Sequence, residues 1–112
     1  MFKTKINPFA VNDKVTFYNL DKKTDLEVKA DAGVIVNRLM KAHAKLANIK
    51  DDSTDDEQRE AAEYFAAAIF GEEQAEKLVA FYGDPLATIN ACGLYFDKKL
   101  KKKITKAQKK TK

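Results

Sequence analysis

The chain has 112 residues, 45% of them hydrophobic, with a net charge of +4, one histidine and one cysteine. That length accommodates one domain with a modest core. There is no run of about 18 apolar residues to cross a membrane, and a lone cysteine excludes an intrachain disulfide, so the composition reads as a soluble protein of a reducing compartment.

Residues 1–13 read as an irregular or extended arm, with Asn7-Pro8 and Asn12-Asp13 as turn chemistry and without the apolar stretch of a secretory signal. Lys14 to Leu20 is β-branched and aromatic. Thr24 to Ala30 alternates Leu26, Val28 and Ala30 with Asp25, Glu27 and Lys29. The polar link Asp21-Lys22-Lys23 between them predicts a β-hairpin over 14–30. A two-stranded hairpin is marginal alone and must pack on the helices or on a neighbouring chain.

From residue 31 the period becomes helical. Asp31 is an N-cap for a helix reaching about Ile49, with Ile35, Leu39, Ala42, Leu46 and Ile49 on one face. After a polar break, Thr54 and Glu57 have capping-box spacing and open a second helix with Ala61, Tyr64, Phe65, Ala68 and Ile69 on its apolar side. Gly71 follows where a left-handed C-cap would sit. A third helix, Glu72 to Tyr82, buries Ala75, Leu78, Val79 and Tyr82, and Gly83 ends it. Asp84-Pro85 then supplies an N-cap with proline at the first helical position. The last helix carries Leu86, Ile89, Gly93, Phe96, Leu100, Ile104 and Ala107 at steps of three and four, over about 25 residues or roughly 37 Å.

The fold class is therefore α+β, mostly α. An N-terminal β-hairpin and about four helices form a single compact domain over 1–97, followed by a basic extension, 98–112, helical or frayed. Charge divides the same way. Residues 1–97 hold all seventeen acids against twelve bases, a balance of −5, whereas Lys98 to Lys112 hold nine lysines and no acid. Arginine, the better reader of base edges, occurs only at Arg38 and Arg59, which weakens sequence-specific DNA recognition. Lysines suit the C-terminal end of a helix. A greasy stripe with a cationic flank suits docking onto an acidic protein surface, and the acidic body of a second copy is one such surface.

Catalytic and metal-binding chemistry finds little support. His43, the sole histidine, has no companion motif, and Cys92 beside Gly93 reads as a buried small hydrophobe. The acids of Asp51 to Glu57 lack the glycine and the closing glutamate of an EF-hand and read as a helix-capping loop. Single glycines in FGEE and FYGDP do not make a phosphate cradle. No catalytic residue, metal or cofactor is expected. Phe65, Phe70, Phe81, Tyr82, Tyr95 and Phe96 fall at helical spacing and read as core. Phe9, Phe17 and Tyr18 are harder to place in a small core and are candidates for contacts between chains, with simple packing the equal alternative.

Several of these features occur together in a known family. The alanine-rich aromatic helix end, FGEEQ (Phe70 to Gln74), KL followed by FYGD (Lys77 to Asp84), the segment from Ile89 through Cys92 to Tyr95-Phe96, and the lysine-rich end resemble phage tail assembly chaperones of long-tailed phages and prophages of Gram-positive bacteria. The resemblance covers about half of the chain, and the N-terminal half agrees only in order, hairpin then helix. It implies a small helical protein without enzymatic activity, acting in the bacterial host cytoplasm. Its implied partners are the tape measure protein and the tail tube protein, and it would self-associate. It also implies a longer form made by ribosomal frameshifting. Lysine pairs such as Lys109-Lys110 permit A-rich codons, and a gene without a slippery heptamer and an overlapping downstream frame would exclude this.

The residues expected to bind partners are Phe96, Leu100 and Ile104, with Lys98, Lys99, Lys101 and Lys102 beside them, and more weakly Phe17 and Tyr18. Two alternatives remain: a nucleic-acid-associated protein using the lysine tail, which the acidic body disfavours, and a structural tail or head–tail component, from which more strands would be expected.

Overall fold

The computed structural model describes residues 10–50 and 52–109. Two strands, β1 (Ala10–Asn19) and β2 (Lys22–Asp31), form an antiparallel hairpin in which Val15 faces Leu26 and Phe17 faces Thr24. The hairpin is longer at both ends than the sequence indicates, because residues 10–13, expected in an arm, pair with 28–31. The arm residues before them, Phe9 among them, lie outside the described residues. The turn is Leu20-Asp21, tighter than the expected link. Leu20 takes φ +59° and is 95% exposed, a backbone region that strains a residue with a Cβ.

Pleating sends Val11, Asp13, Val15 and Phe17 from β1, and Leu26, Val28 and Ala30 from β2, to one side. Val11, Phe17, Leu26 and Val28 are buried there, so the hairpin has an apolar face that only the helices can cover.

Helices α1 (Ala32–Ala47), α2 (Asp55–Phe70) and α3 (Glu72–Tyr82) begin and end close to where the sequence places them. The Asp31 carboxylate accepts from the Gly33 and Val34 amides at 2.8 and 3.3 Å. Thr54 and Glu57 form the reciprocal capping box, at 3.1 and 2.9 Å, which satisfies two otherwise unpaired backbone donors. Gly71 departs from the expected left-handed cap. Its φ of +90° and ψ of 162° turn the chain sharply from α2 into α3, a conformation open only to glycine. Gly83 does adopt the left-handed cap, at φ +69° and ψ 7°.

Immediately after the Gly71 turn, Gln74 closes on the hairpin. Its amide donates to the Glu27 and Phe70 carbonyls, both at 2.8 Å, and accepts from the Glu27 N–H at 2.9 Å. A side-chain amide thus pairs with β2 much as a neighbouring strand would. The FGEEQ segment is accounted for by this architecture: a core phenylalanine, a turn glycine and a strand-edge clasp.

The last helix runs as α4 (Pro85–Tyr95), a π turn (Phe96–Leu100) and α5 (Lys101–Lys109). The sequence indicates one continuous stripe through Leu86, Ile89, Gly93, Phe96 and Leu100. In the structure Thr88, Cys92 and Tyr95 point inward from α4, while Leu86 is 52% exposed. The next inward residue is Leu100, five positions after Tyr95, followed by Ile104 and Ala107. A step of five exceeds an α turn, and the π turn supplies it, with the Lys101 N–H donating to the Phe96 carbonyl.

One core joins all these elements, with Phe17 at its centre. Its ring meets Phe70, Tyr82 and Tyr95 edge-on, with centroids 5.6, 6.5 and 6.3 Å apart, in the geometry favoured by the aromatic quadrupole. Leu100, Ile104 and Ala107 belong to the same core. The compact domain therefore continues past residue 97 and includes most of the stretch expected to be an extension. Among the described residues no helix is long and apolar enough to cross a membrane.

Candidate binding groove

Helix α1 and the last helix leave a furrow between them. Val36, Leu39, Met40 and His43 line one side. Gly93, Phe96, Asp97, Lys101, Ile104 and Thr105 line the other, and Phe65 of α2 completes the lining. The volume is about 600 Å³, within the range of small-ligand pockets, but the site is an open trough. Its surface is largely apolar. Met40, within this lining, is 67% exposed.

Two local features shape the trough. The π turn rotates Tyr95 and Leu100 into the core and leaves Phe96, between them, half-buried at the rim. Gly93 sits mid-helix, and a Cβ built on it would meet no atom within 4 Å beyond its chain neighbours and its own helix backbone. Glycine inside a helix costs about 1 kcal/mol relative to alanine. No close packing in the fold requires it here; what it leaves is clearance in the trough.

Along the C-terminal side runs a ridge of charge. Lys98, Lys101, Lys102 and Thr105 share one exposed face by helical spacing. No ion-pair partner of Lys98, Lys101, Lys102 or Lys106 occurs among the described residues. Lys99 and Lys103 are used differently. Each approaches Asp13 Oδ1 at 3.6 Å, while the Tyr95 hydroxyl donates to Asp13 Oδ2 at 2.6 Å. Asp13 projects from the apolar face of the hairpin, with 9% of its side chain exposed. Burial opposes its charge, but the Tyr95 hydrogen bond and the Lys103 and Lys99 ammonium groups prevail and hold its pKa below the ordinary value. Burial, reinforced by Asp13, pushes the Tyr95 phenol up. This cluster fastens the last helix to β1 and so fixes the far wall of the trough.

The residues expected to bind partners thus separate. Phe96, Ile104 and Lys101 come together in the groove, with Lys98 and Lys102 on the adjoining ridge. Leu100 is fully buried behind the wall, held there by the π turn, so it is not a docking surface. Ile104 touches the groove but is only 5% exposed, so it too serves mainly the core. Lys99 faces the hairpin. Phe17 is central to the core instead of lying between chains, because the four-residue aromatic cluster gives it a site within the monomer. Tyr18, on the outer face of the hairpin, is 65% exposed and lies away from the groove lining.

Val36, Leu39, Met40, His43, Phe65, Gly93, Asp97 and Thr105 also line the trough, outside the set expected from the sequence. A signal existed in Val36 and Met40, apolar residues of α1 that fall off the Ile35–Leu39–Ala42–Leu46 stripe. Cys92 is fully buried, and burial pushes its thiol up to about 12, far from a reactive thiolate. Among the described residues no group of three His, Cys, Asp or Glu side chains is placed to hold a metal ion.

Comparison with protein-family models, with curated proteins and with solved structures finds no match.

Proposed function

We propose that this chain is a phage tail assembly chaperone, binding the tape measure protein and assisting tail tube assembly in the host cytoplasm. The observation that carries the proposal is the apolar trough between α1 and the last helix, flanked by lysines that have no ion-pair partner among the described residues. A tape measure protein is long and helical and has to be kept soluble until the tube encloses it. A trough that shelters one stretch of apolar helix meets that need. Repetition along a self-associated chaperone would raise the effective concentration of such sites.

Self-association has its own support. Glu60, Glu63, Glu72 and Glu76 surround a hollow between α2 and α3, and the lysine ridge is its complement in charge. Contacts of this heterologous kind build open spirals or rings.

The test is an affinity pull-down of the tagged chain from phage-producing cells, with nuclease present, read by mass spectrometry. Recovery of a long helical tape measure protein, with or without tube protein, supports the proposal. The lysines of the ridge, without ion-pair partners among the described residues, favour a second reading, non-specific nucleic-acid binding with strong salt dependence. Association that disappears on nuclease treatment, with neither tail protein recovered, would replace the first reading with the second.

A further inference from the structure

We infer that the trough receives one amphipathic helix of another protein, about three turns long, apolar where it enters and acidic along the flank that passes the lysine ridge. The inference rests on the proposed binding function and specifies the chemistry of the bound segment.

Four observations lead to it. All the lining residues belong to helices, so the walls offer no free strand edge. An incoming backbone must therefore satisfy its own hydrogen bonds, and a helix does so. The lining on the last helix extends from Gly93 to Thr105, roughly 18 Å at 1.5 Å per residue, which matches about three turns of a partner. The clearance at Gly93 admits a large side chain, and Met40 is flexible enough to repack around one.

The fourth observation is charge. Lys101 lines the trough, Lys98 and Lys102 adjoin it, and Asp97 is the one carboxylate of the lining among the described residues. His43 stands on the opposite wall. The C-terminal wall is therefore cationic on balance, so an acidic flank on the partner supplies both attraction and direction. Three turns of helix are marginal in water alone, so the segment belongs to a longer helix or orders on binding.

Fluorescence anisotropy with the full chain tests this. The probes are two synthetic peptides of about 14 residues, with leucines at helical spacing, one flanked by glutamates and the other by lysines. The expected result is binding of the glutamate peptide about tenfold or more tighter at low salt, the difference shrinking as salt rises. Met40→Glu and Gly93→Leu should each weaken it about tenfold without lowering the circular-dichroism melt, since both sites are open. The double variant Lys101→Glu, Lys102→Glu should reverse the preference. Equal binding of the two peptides, no binding, or binding indifferent to Met40→Glu and Gly93→Leu would overturn the inference. So would sedimentation showing that these variants separate an oligomer whose groove the peptides do not enter, which would give the trough to a second copy. Peptide binding as expected, with no tape measure protein in the pull-down, retains the groove and rejects the chaperone reading. Recovery of that protein undiminished by Met40→Glu does the reverse.

Discussion

Leu100→Ala tests the packing on which the groove depends. Leu100 is fully buried, five residues after Tyr95, where the π turn points it into the core. Removing three carbons forfeits about 2.4 kcal/mol of transfer free energy, at about 0.8 kcal/mol per methylene. The residual cavity raises the loss to roughly 3–4 kcal/mol, within the range of buried leucine truncations. That is a large share of the 5–15 kcal/mol, approximately, that holds a typical domain together. For a chain of this size it should lower Tm by about 12–16 °C. Urea and thermal denaturation followed by far-ultraviolet circular dichroism would measure it, with exposed Lys102→Ala as the control expected to change little. A loss below about 1 kcal/mol would mean that the last turns do not dock. The reasoning that places Leu100 in the core, and with it the far wall of the trough, would then be wrong.

The Asp13 cluster gives a second outcome. Tyr95→Phe leaves a nearly buried carboxylate without its hydrogen-bond donor and should destabilise by roughly 1–3 kcal/mol in denaturant titrations at neutral pH. Because the folded-state pKa of Asp13 is lowered, its contribution is present above the ordinary carboxylate pKa near 3.8. It is lost as pH falls below that value, so an acid titration of stability should lose part of its slope in Asp13→Asn. Gly93→Ala places a methyl group in open space and raises helix propensity. It should stabilise by about 0.5–1 kcal/mol in thermal melts; a loss would show hidden crowding. Leu20→Asn relieves the positive φ at a site 95% exposed and should stabilise by up to about 1 kcal/mol. An unchanged urea midpoint would mean that the turn is unstrained.

Much of the fold can be read locally. Asp31, Thr54 with Glu57, and Asp84-Pro85 mark helix starts because the groups that satisfy a helix terminus lie within three residues of it. Gly83 marks an end because left-handed backbone is a property of one residue. Alternation in β2 and the spacing of Ile35 and Ala42 identify inward faces before any partner is known. The composition, the lone cysteine and the uneven charge were likewise legible.

Tertiary structure decided what depends on residues distant in sequence. The step of five from Tyr95 to Leu100 does not follow from periodicity, since Phe96 to Leu100 makes an equally good α step. It arises because Tyr95 has Asp13 and the Phe17–Phe70 rings to meet while Leu100 has the core to fill. Phe17, a candidate for contact between chains from the sequence alone, lies at the centre for the same reason: its ring partners come from three helices 53 to 78 positions downstream. The groove itself is the space left where two amphipathic helices cannot both bury everything apolar they carry. Each helix face was present in the sequence, and only the folded chain determined which was left uncovered.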